Sequence, residues 1–227
     1  MKPIVKTILQ VLLFSIAMGF LESAVVVYLR ALYYPEGFSF PLKPMSNHII
    51  ITELLRELAT LIMLLYIGIL SGKNFIQRFS FFLFSFAIWD IFYYVFLKVL
   101  LDWPQHLFEW DILFLIPAPW VGPVIAPCII SLTMILLAGY LLYAEQHTPS
   151  LRLNPSDWLL LSIASLLYII SFIQDQLLLL FTTDQHLLMQ TTAPTTYNWY
   201  LFGFALAIFL VWFTLFTAKV KVTNDVT

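Results

Sequence analysis

Six runs of apolar residues, each long enough to cross a lipid bilayer, follow one another along this chain. A helix needs about 20 apolar residues to span the hydrocarbon core of a membrane. Within that core every backbone N–H and C=O group must find a partner inside the protein, and a helix satisfies them within one segment. The sequence therefore predicts an all-α fold, a polytopic integral membrane protein built as a bundle of six transmembrane helices.

The composition supports the same fold class. Of the 227 residues, 61% are hydrophobic and only 11% are charged, whereas charged residues make up about 25% of an ordinary soluble domain. The net charge of −2 gives no basic surface for nucleic acid, so the partner that we expect is the lipid bilayer. The single cysteine, Cys128, excludes an intrachain disulfide.

The runs and their short connections predict a single transmembrane domain over residues 1–227. We expect its helices at about residues 7–32, 47–70, 79–101, 111–143, 157–181 and 198–218. Four prolines fall in the fourth run, at Pro117, Pro119, Pro123 and Pro127. Each proline removes a backbone donor and clashes with the preceding turn. This span is therefore predicted to be broken, with a short interfacial or re-entrant piece from Asp111 before the continuous helix.

The basic residues predict the orientation of the bundle. Six spans put both termini on one side, together with most basic residues: Lys2, Lys6, Lys73, Arg78, Arg152, Lys219 and Lys221. The opposite loops hold Lys43, while Arg30 and Lys98 stand at helix ends and are expected to reach the membrane surface with their charged groups. The positive-inside rule then predicts a multi-pass protein of the cell (inner or cytoplasmic) membrane with both termini in the cytoplasm.

Three charges in the second run are the most informative polar feature of the sequence. Glu53, Arg56 and Glu57 are spaced three and four residues apart, so their side chains share one face of a helix. Charges at membrane depth are costly and usually face a bundle interior or a water-filled cavity. The two glutamates repel each other when both are ionised, and this is relieved by Arg56 between them, by protonation of one, or by a bound cation. We expect this face to form the wall of a polar site.

Other helices carry charges at similar depth. Glu22 lies on a stripe of small residues in the first helix, and Asp90 lies near the centre of the third, with Tyr94 beside its face. Asp175 lies towards the end of the fifth helix. In the predicted topology these groups fall mostly in the outer half of the membrane, which predicts a site that opens to the outer face. The candidate ligand-binding or ion-coupling residues are Glu22, Glu53, Arg56, Glu57, Asp90, Tyr94 and Asp175.

Three functional hypotheses fit this pattern. In the first, the protein binds or transports a small polar or anionic solute or a lipid head group, which Arg56 holds through its forked guanidinium, beside a separate energising or partner subunit. In the second, it is an enzyme that acts on lipid-linked substrates, with one carboxylic acid giving a proton and another taking one. In the third, it is a structural or assembly protein whose charges only join helices. The sequence leaves the choice open and assigns no catalytic residue.

No cofactor or metal motif stands out. The chain has no HExxH, CxxC, GxSxG, GxGxxG or P-loop pattern, and its histidines lie in predicted loops or helix ends: His48, His106, His147 and His186. Carboxylates at membrane depth could also hold a divalent cation. We predict neither a cofactor nor a metal site.

Overall fold

The computed structural model describes residues 3–40, 43–148, 151–182 and 196–226. It contains helices α1 (Pro3–Tyr33), α2 (Asn47–Ser71), α3 (Phe75–Leu101), α4 (Ile125–His147), α5 (Pro155–Thr182) and α6 (Trp199–Val226), and strands β1 (Trp110–Ile112) and β2 (Val121–Pro123). All six helices are long and apolar enough to cross a membrane. The predicted all-α polytopic fold is confirmed, and the chain is a multi-pass integral membrane protein.

Helix α3 occupies the centre of the bundle, where it packs against α1, α2 and α4. The small residues of α1 allow a close approach to α3. A Cβ atom on Gly19 would lie 3.0 Å from the Trp89 carbonyl oxygen, and the buried Ser23 hydroxyl donates to the Tyr93 carbonyl at 3.0 Å. Small side chains at a helix crossing let the backbones pack tightly in a membrane, where no hydrophobic force joins helices. The buried residues of α3 consequently include Trp89, Asp90, Tyr93 and Tyr94.

The segment before α4 contains the predicted break. Residues 110–123 there form an antiparallel strand pair, with Asp111 opposite Gly122. The Leu113 N–H donates to the Trp120 carbonyl and the Trp120 N–H donates to the Phe114 carbonyl, which extends the pair towards its tip. Pro117 and Pro119 lie at that tip, where the strand pair needs no backbone donor. Pro127 lies in the first turn of α4, where backbone N–H groups have no acceptor within the helix, so the missing N–H costs no hydrogen bond. We call residues 110–123 the hairpin.

Neighbouring side chains shelter the hairpin backbone. All three residues of β2 are buried, and α5 packs against this strand. Gly122 is required there, because a Cβ atom at this position would lie 2.6 Å from the ring of Phe172. Irregular backbone at membrane depth is tolerated where protein covers it or where it lines a cavity. The β1 side of the hairpin lines a cavity.

The crossing of α2 and α3 gives a direct test of this packing. A Cβ atom on Gly68 would lie 2.7 Å from the Phe82 backbone nitrogen and 2.8 Å from its Cα atom. Backbone atoms cannot yield without moving the helix, so Gly68→Ala is expected to lower the free energy of unfolding by about 1–3 kcal/mol. The measurement is denaturant unfolding in detergent micelles, followed by circular dichroism.

Gly139→Ala is the matched control for that substitution. Nothing lies within 4 Å of the Cβ position of Gly139 in α4. The same exchange there should raise stability by about 0.5–1 kcal/mol, because alanine loses less backbone entropy than glycine on entering a helix. Equal effects at the two sites would contradict the α2–α3 crossing described here.

Candidate functional site

One cavity opens at the end of the bundle where α1 finishes and α2 begins. It encloses about 940 Å³ including its open mouth, and side chains of α1, α2, α3, the hairpin and the described part of the loop after α1 line it. We call it the charged cavity. Six of the seven sequence-predicted candidates line it: Glu22, Glu53, Arg56, Glu57, Asp90 and Tyr94. The structure thus brings charges from three different helices to one place.

Asp175 is the candidate that the structure does not bring there. It is exposed on α5 and lies beside a separate, smaller pocket with Gln174, Tyr197 and Asn198. The α5–α6 pair packs on the side of the hairpin away from the charged cavity. Depth in the membrane places Asp175 level with the site, but the order of helices around the bundle keeps it apart.

Arg56 joins α2 to α1. Its Nη2 atom lies 2.8 Å from Oε2 of Glu53, and its Nη1 atom contacts the carboxylate of Glu22 on α1. Thr60, one turn further along α2, donates a hydrogen bond of 3.2 Å to the same Glu22 carboxylate. An Arg56 bridge between Glu53 and Glu57 was one of three arrangements that the sequence left open. In the structure Arg56 bridges Glu53 and Glu22.

Glu57 has a different partner. Its two carboxylate oxygens accept the backbone N–H of Leu115 at 2.9 and 3.0 Å, and the residue is only 5% exposed. This contact ties α2 to the tip region of the hairpin. It also satisfies a backbone donor that the strand pair leaves without a ladder partner. Glu57 therefore positions the part of the hairpin that lines the charged cavity.

Arg30 and Asp111 form the second ion pair of the charged cavity. Their Nη2 and Oδ1 atoms lie 3.4 Å apart, and both side chains are nearly buried. The Arg30 guanidinium also stacks on Trp103, 3.8 Å from the ring centroid, and on Phe38 at 4.6 Å. The expectation that Arg30 reaches the membrane surface is wrong, because the loop after α1 and the hairpin fold over it. Lys98 does remain at the surface, where it pairs with the exposed Asp102 at 2.7 Å.

Asp111 is the functional candidate that sequence reasoning did not include. It is 3% exposed, and burial raises the pKa of its carboxyl to about 6, although Arg30 and hydrogen bonds from Ile112, Tyr94 and Tyr93 act in the opposite direction. Its signal in the sequence was an acid at the start of an apolar, proline-rich stretch. Because that stretch is predicted to be an interfacial or re-entrant piece beginning at Asp111, the sequence alone does not assign Asp111 to the buried site.

Asp90 faces the charged cavity from the centre of α3. Its Oδ2 atom accepts a hydrogen bond of 2.7 Å from Ser131 of α4, and the residue is 7% exposed. Neither Asp90 nor Glu57 takes part in an ion pair within the described part of the chain. The other three acids of the charged cavity each have an arginine within ion-pair distance. Glu57 interacts with the neighbouring Arg56 electrostatically but forms no ion pair with it.

Aromatic side chains complete the wall. The cavity-lining aromatic residues are Tyr33, Tyr34, Phe38, Trp89, Tyr93 and Tyr94. The hydroxyl of Tyr93 reaches towards Asp111 at 3.5 Å. The indole Nε1 of Trp89, a residue only 4% exposed, has no hydrogen-bond partner within the described part of the chain. The wall thus combines carboxylates and aromatic faces with the buried N–H donor of Trp89.

Metal binding gains no support from the arrangement. Residues 3–40, 43–148, 151–182 and 196–226 contain no group of three or more His, Cys, Asp or Glu side chains placed to hold a metal ion.

Comparison of the chain with protein-family models, curated proteins and solved structures gives no match. The argument for function therefore rests on the geometry and charge of the charged cavity.

Proposed function

We propose that this protein binds a small polar solute in the charged cavity and takes part in its transfer across the membrane. The observation that carries the proposal is the convergence of buried charges from α1, α2, α3 and the hairpin on one open cavity. Ionisable residues inside a membrane are costly and commonly mark the path of a solute or ion. Irregular backbone beside such residues is a frequent element of transporter binding sites.

The ion pairs and the unpaired acids have different parts in this proposal. The contacts of Arg56 and Arg30 join α1 to α2 and to the hairpin, so these pairs hold the walls of the charged cavity together. Among the described residues, Glu57 and Asp90 take part in no ion pair. They are the acids that we assign to the solute, Glu57 in addition to its contacts with the Leu115 N–H. The structural hypothesis from the sequence thus accounts for the paired charges, and the binding hypothesis for the other two.

An anionic solute is the less favoured ligand. That expectation required a guanidinium free to hold a negative charge, and both arginines of the charged cavity already contact carboxylates. Displacing those carboxylates would leave buried acids without partners, which is strongly unfavourable. A neutral or positively charged polar solute needs no such exchange.

The distribution of basic residues supports an outward opening. Lys6, Lys73, Arg78, Arg152 and Lys219 lie at the end of the bundle opposite to the charged cavity. Positive charge is enriched on the cytoplasmic side of membrane proteins. We infer that the charged cavity opens away from the cytoplasm, and that both termini are cytoplasmic.

Cysteine labelling tests this proposal. In a Cys128→Ala background, which removes the only native thiol, Val26→Cys places a thiol in the wall of the charged cavity. A small, membrane-impermeant methanethiosulfonate reagent should label it in intact cells, because such reagents need a hydrated thiolate. Transfer of a solute requires access from each side in turn, so slower labelling is also expected in inside-out vesicles. The readout is the labelled fraction by mass spectrometry.

Leu21→Cys is the matched control for labelling. Leu21 lies on the same helix and is 58% exposed on the outer surface of the bundle, where lipid would cover it. It should remain unlabelled under both conditions. Absence of labelling at Val26→Cys would overturn binding of an aqueous solute, and labelling only from outside would overturn its transfer.

A further inference from the structure

The charged cavity has more negative than positive groups. Five carboxylates and two guanidiniums line it. Glu22, Glu53 and Asp111 have arginine contacts, but Glu22 and Glu53 share Arg56. Of the three negative groups in excess, one therefore belongs to that cluster and the other two are Glu57 and Asp90. A carboxylate held away from bulk water needs a proton or a cation to offset its charge. The cavity is thus built to receive positive charge.

The wall suits an organic cation more than a metal ion. Six aromatic side chains line the charged cavity, and aromatic faces attract ammonium and guanidinium groups. Arg30 demonstrates this within the same wall, since its guanidinium stacks on Phe38 and Trp103. A divalent metal would instead need several oxygen ligands in close array, and no such cluster occurs among the described residues.

Trp89 adds a requirement for an oxygen acceptor. Its indole N–H is buried and has no hydrogen-bond partner among the described residues, and Trp89 lies next to Asp90 in the wall of the charged cavity. An unpaired buried donor is unfavourable, because it has given up its hydrogen bonds to water. A ligand whose hydroxyl, ether or ester oxygen accepts from Trp89 while its ammonium group meets Asp90 would satisfy both side chains.

We propose that the charged cavity binds a small organic ammonium ion that carries an oxygen acceptor, the chemistry shared by free amino alcohols and the head groups of zwitterionic aminolipids. This inference rests on the proposed function, because it names the class of solute that enters the same site. Asp90 and Glu57 face the ammonium group, the tyrosines and Phe38 surround it, and Trp89 donates to the oxygen.

The first arm of the test compares choline with 3,3-dimethylbutan-1-ol, which has the same shape but no charge. Binding to the purified protein in maltoside micelles is measured by isothermal titration calorimetry. Choline should bind at least about tenfold more tightly than the alcohol, because only the cation gains from carboxylates and aromatic faces. Sodium chloride at matched ionic strength should not compete.

Two variants locate the site. Asp90→Asn should weaken choline binding by about tenfold or more. Glu36→Gln is the control, because it removes an exposed carboxylate of the loop after α1 that does not line the charged cavity. This substitution should leave choline binding unchanged. If Asp90→Asn fails to fold, Trp89→Phe, which deletes only the N–H donor and part of the ring system, takes its place. The comparison of choline with its neutral analogue on the unaltered protein decides the question in either case.

The second arm separates the two sources of the ligand. Phosphatidylethanolamine, phosphatidylcholine and phosphatidylglycerol are added to the micelles, and the shift of the thermal unfolding midpoint is recorded, since a ligand that binds the folded state raises it. Stabilisation by choline supports a free solute, and stabilisation by the two zwitterionic lipids alone supports a lipid head group.

Equal binding of choline and its neutral analogue, with no preference for zwitterionic lipids, would overturn the ammonium inference. So would a preference for phosphatidylglycerol. In either event the labelling of Val26→Cys still reports on the proposed function, because it depends on water in the charged cavity and not on the identity of the ligand.

Discussion

Replacing Arg56 by glutamine should lower the free energy of unfolding by about 3–5 kcal/mol, the range seen when one partner of a buried ion pair is removed. Arg56 contacts Glu22 on α1 and Glu53 on its own helix. Without it, two carboxylates face each other inside the bundle and the joint between α1 and α2 is lost. The loss of folded protein can be followed by fluorescence-detected size-exclusion chromatography during a temperature ramp.

Neutralising the carboxylates together with Arg56 should recover part of the loss. In the triple variant Glu22→Gln, Glu53→Gln, Arg56→Gln, no charge of this cluster remains without a partner, and amides can hydrogen-bond to one another. Arg152→Gln is the matched control, because Arg152 is exposed in the connection before α5. If the Arg56→Gln variant were as stable as the native protein, the contacts of Arg56 would not be needed to hold the fold. Arg56 would then be available for a ligand, and an anionic solute would again be the favoured substrate.

The spans and most of the site were predictable from sequence because both depend on local patterns. Apolar runs of span length identify transmembrane helices without reference to the rest of the fold. The spacing of Glu53, Arg56 and Glu57 fixes a common helix face whatever that face contacts. Because exposed charge is so costly in lipid, that face could be expected to turn inwards, and the structure has it lining the charged cavity.

The remaining features depend on contacts between distant segments. Asp111 and Arg30 are 81 positions apart in the chain, and they meet because a pair of three-residue strands folds back over the end of α1. Strands so short leave no periodic signal in a sequence. The sequence also grouped Asp175 with the residues of the charged cavity, which it does not line. Hydropathy indicates the depth of a residue in the membrane but not the direction in which its side chain faces. The partners of Arg56 were likewise decided by the packing of α1, which the local pattern on α2 does not contain.

Asp111 gives the second large expected effect, on the pH dependence of stability. An acid in an ordinary stabilising salt bridge makes the protein more stable as pH rises, whereas Asp111 is expected to make it less stable. Its folded-state pKa is raised from 3.8 to about 6, so between these values the folded protein holds a proton that the unfolded chain has lost. By linkage, the contribution of this group to stability is fully present below about pH 4 and is lost as pH rises through 6. The two-unit difference corresponds to about 3 kcal/mol.

Asp111→Asn should remove that dependence, because an amide resembles the protonated carboxyl at every pH. The variant is expected to match the native protein near pH 4 and to exceed its stability by up to about 3 kcal/mol at pH 7. Unfolding midpoints of both proteins and of Glu36→Gln, measured at half-unit steps between pH 4 and 8, isolate the contribution of Asp111 from that of other acids.

A variant less stable than the native protein at pH 7 would mean that Arg30 more than offsets the burial of the carboxylate. The expected result instead means that the charged cavity retains an ionised acid at a cost to the fold. Residues kept at such a cost are characteristic of sites shaped by function, which supports a functional role for the part of the wall that Asp111 and Arg30 form together.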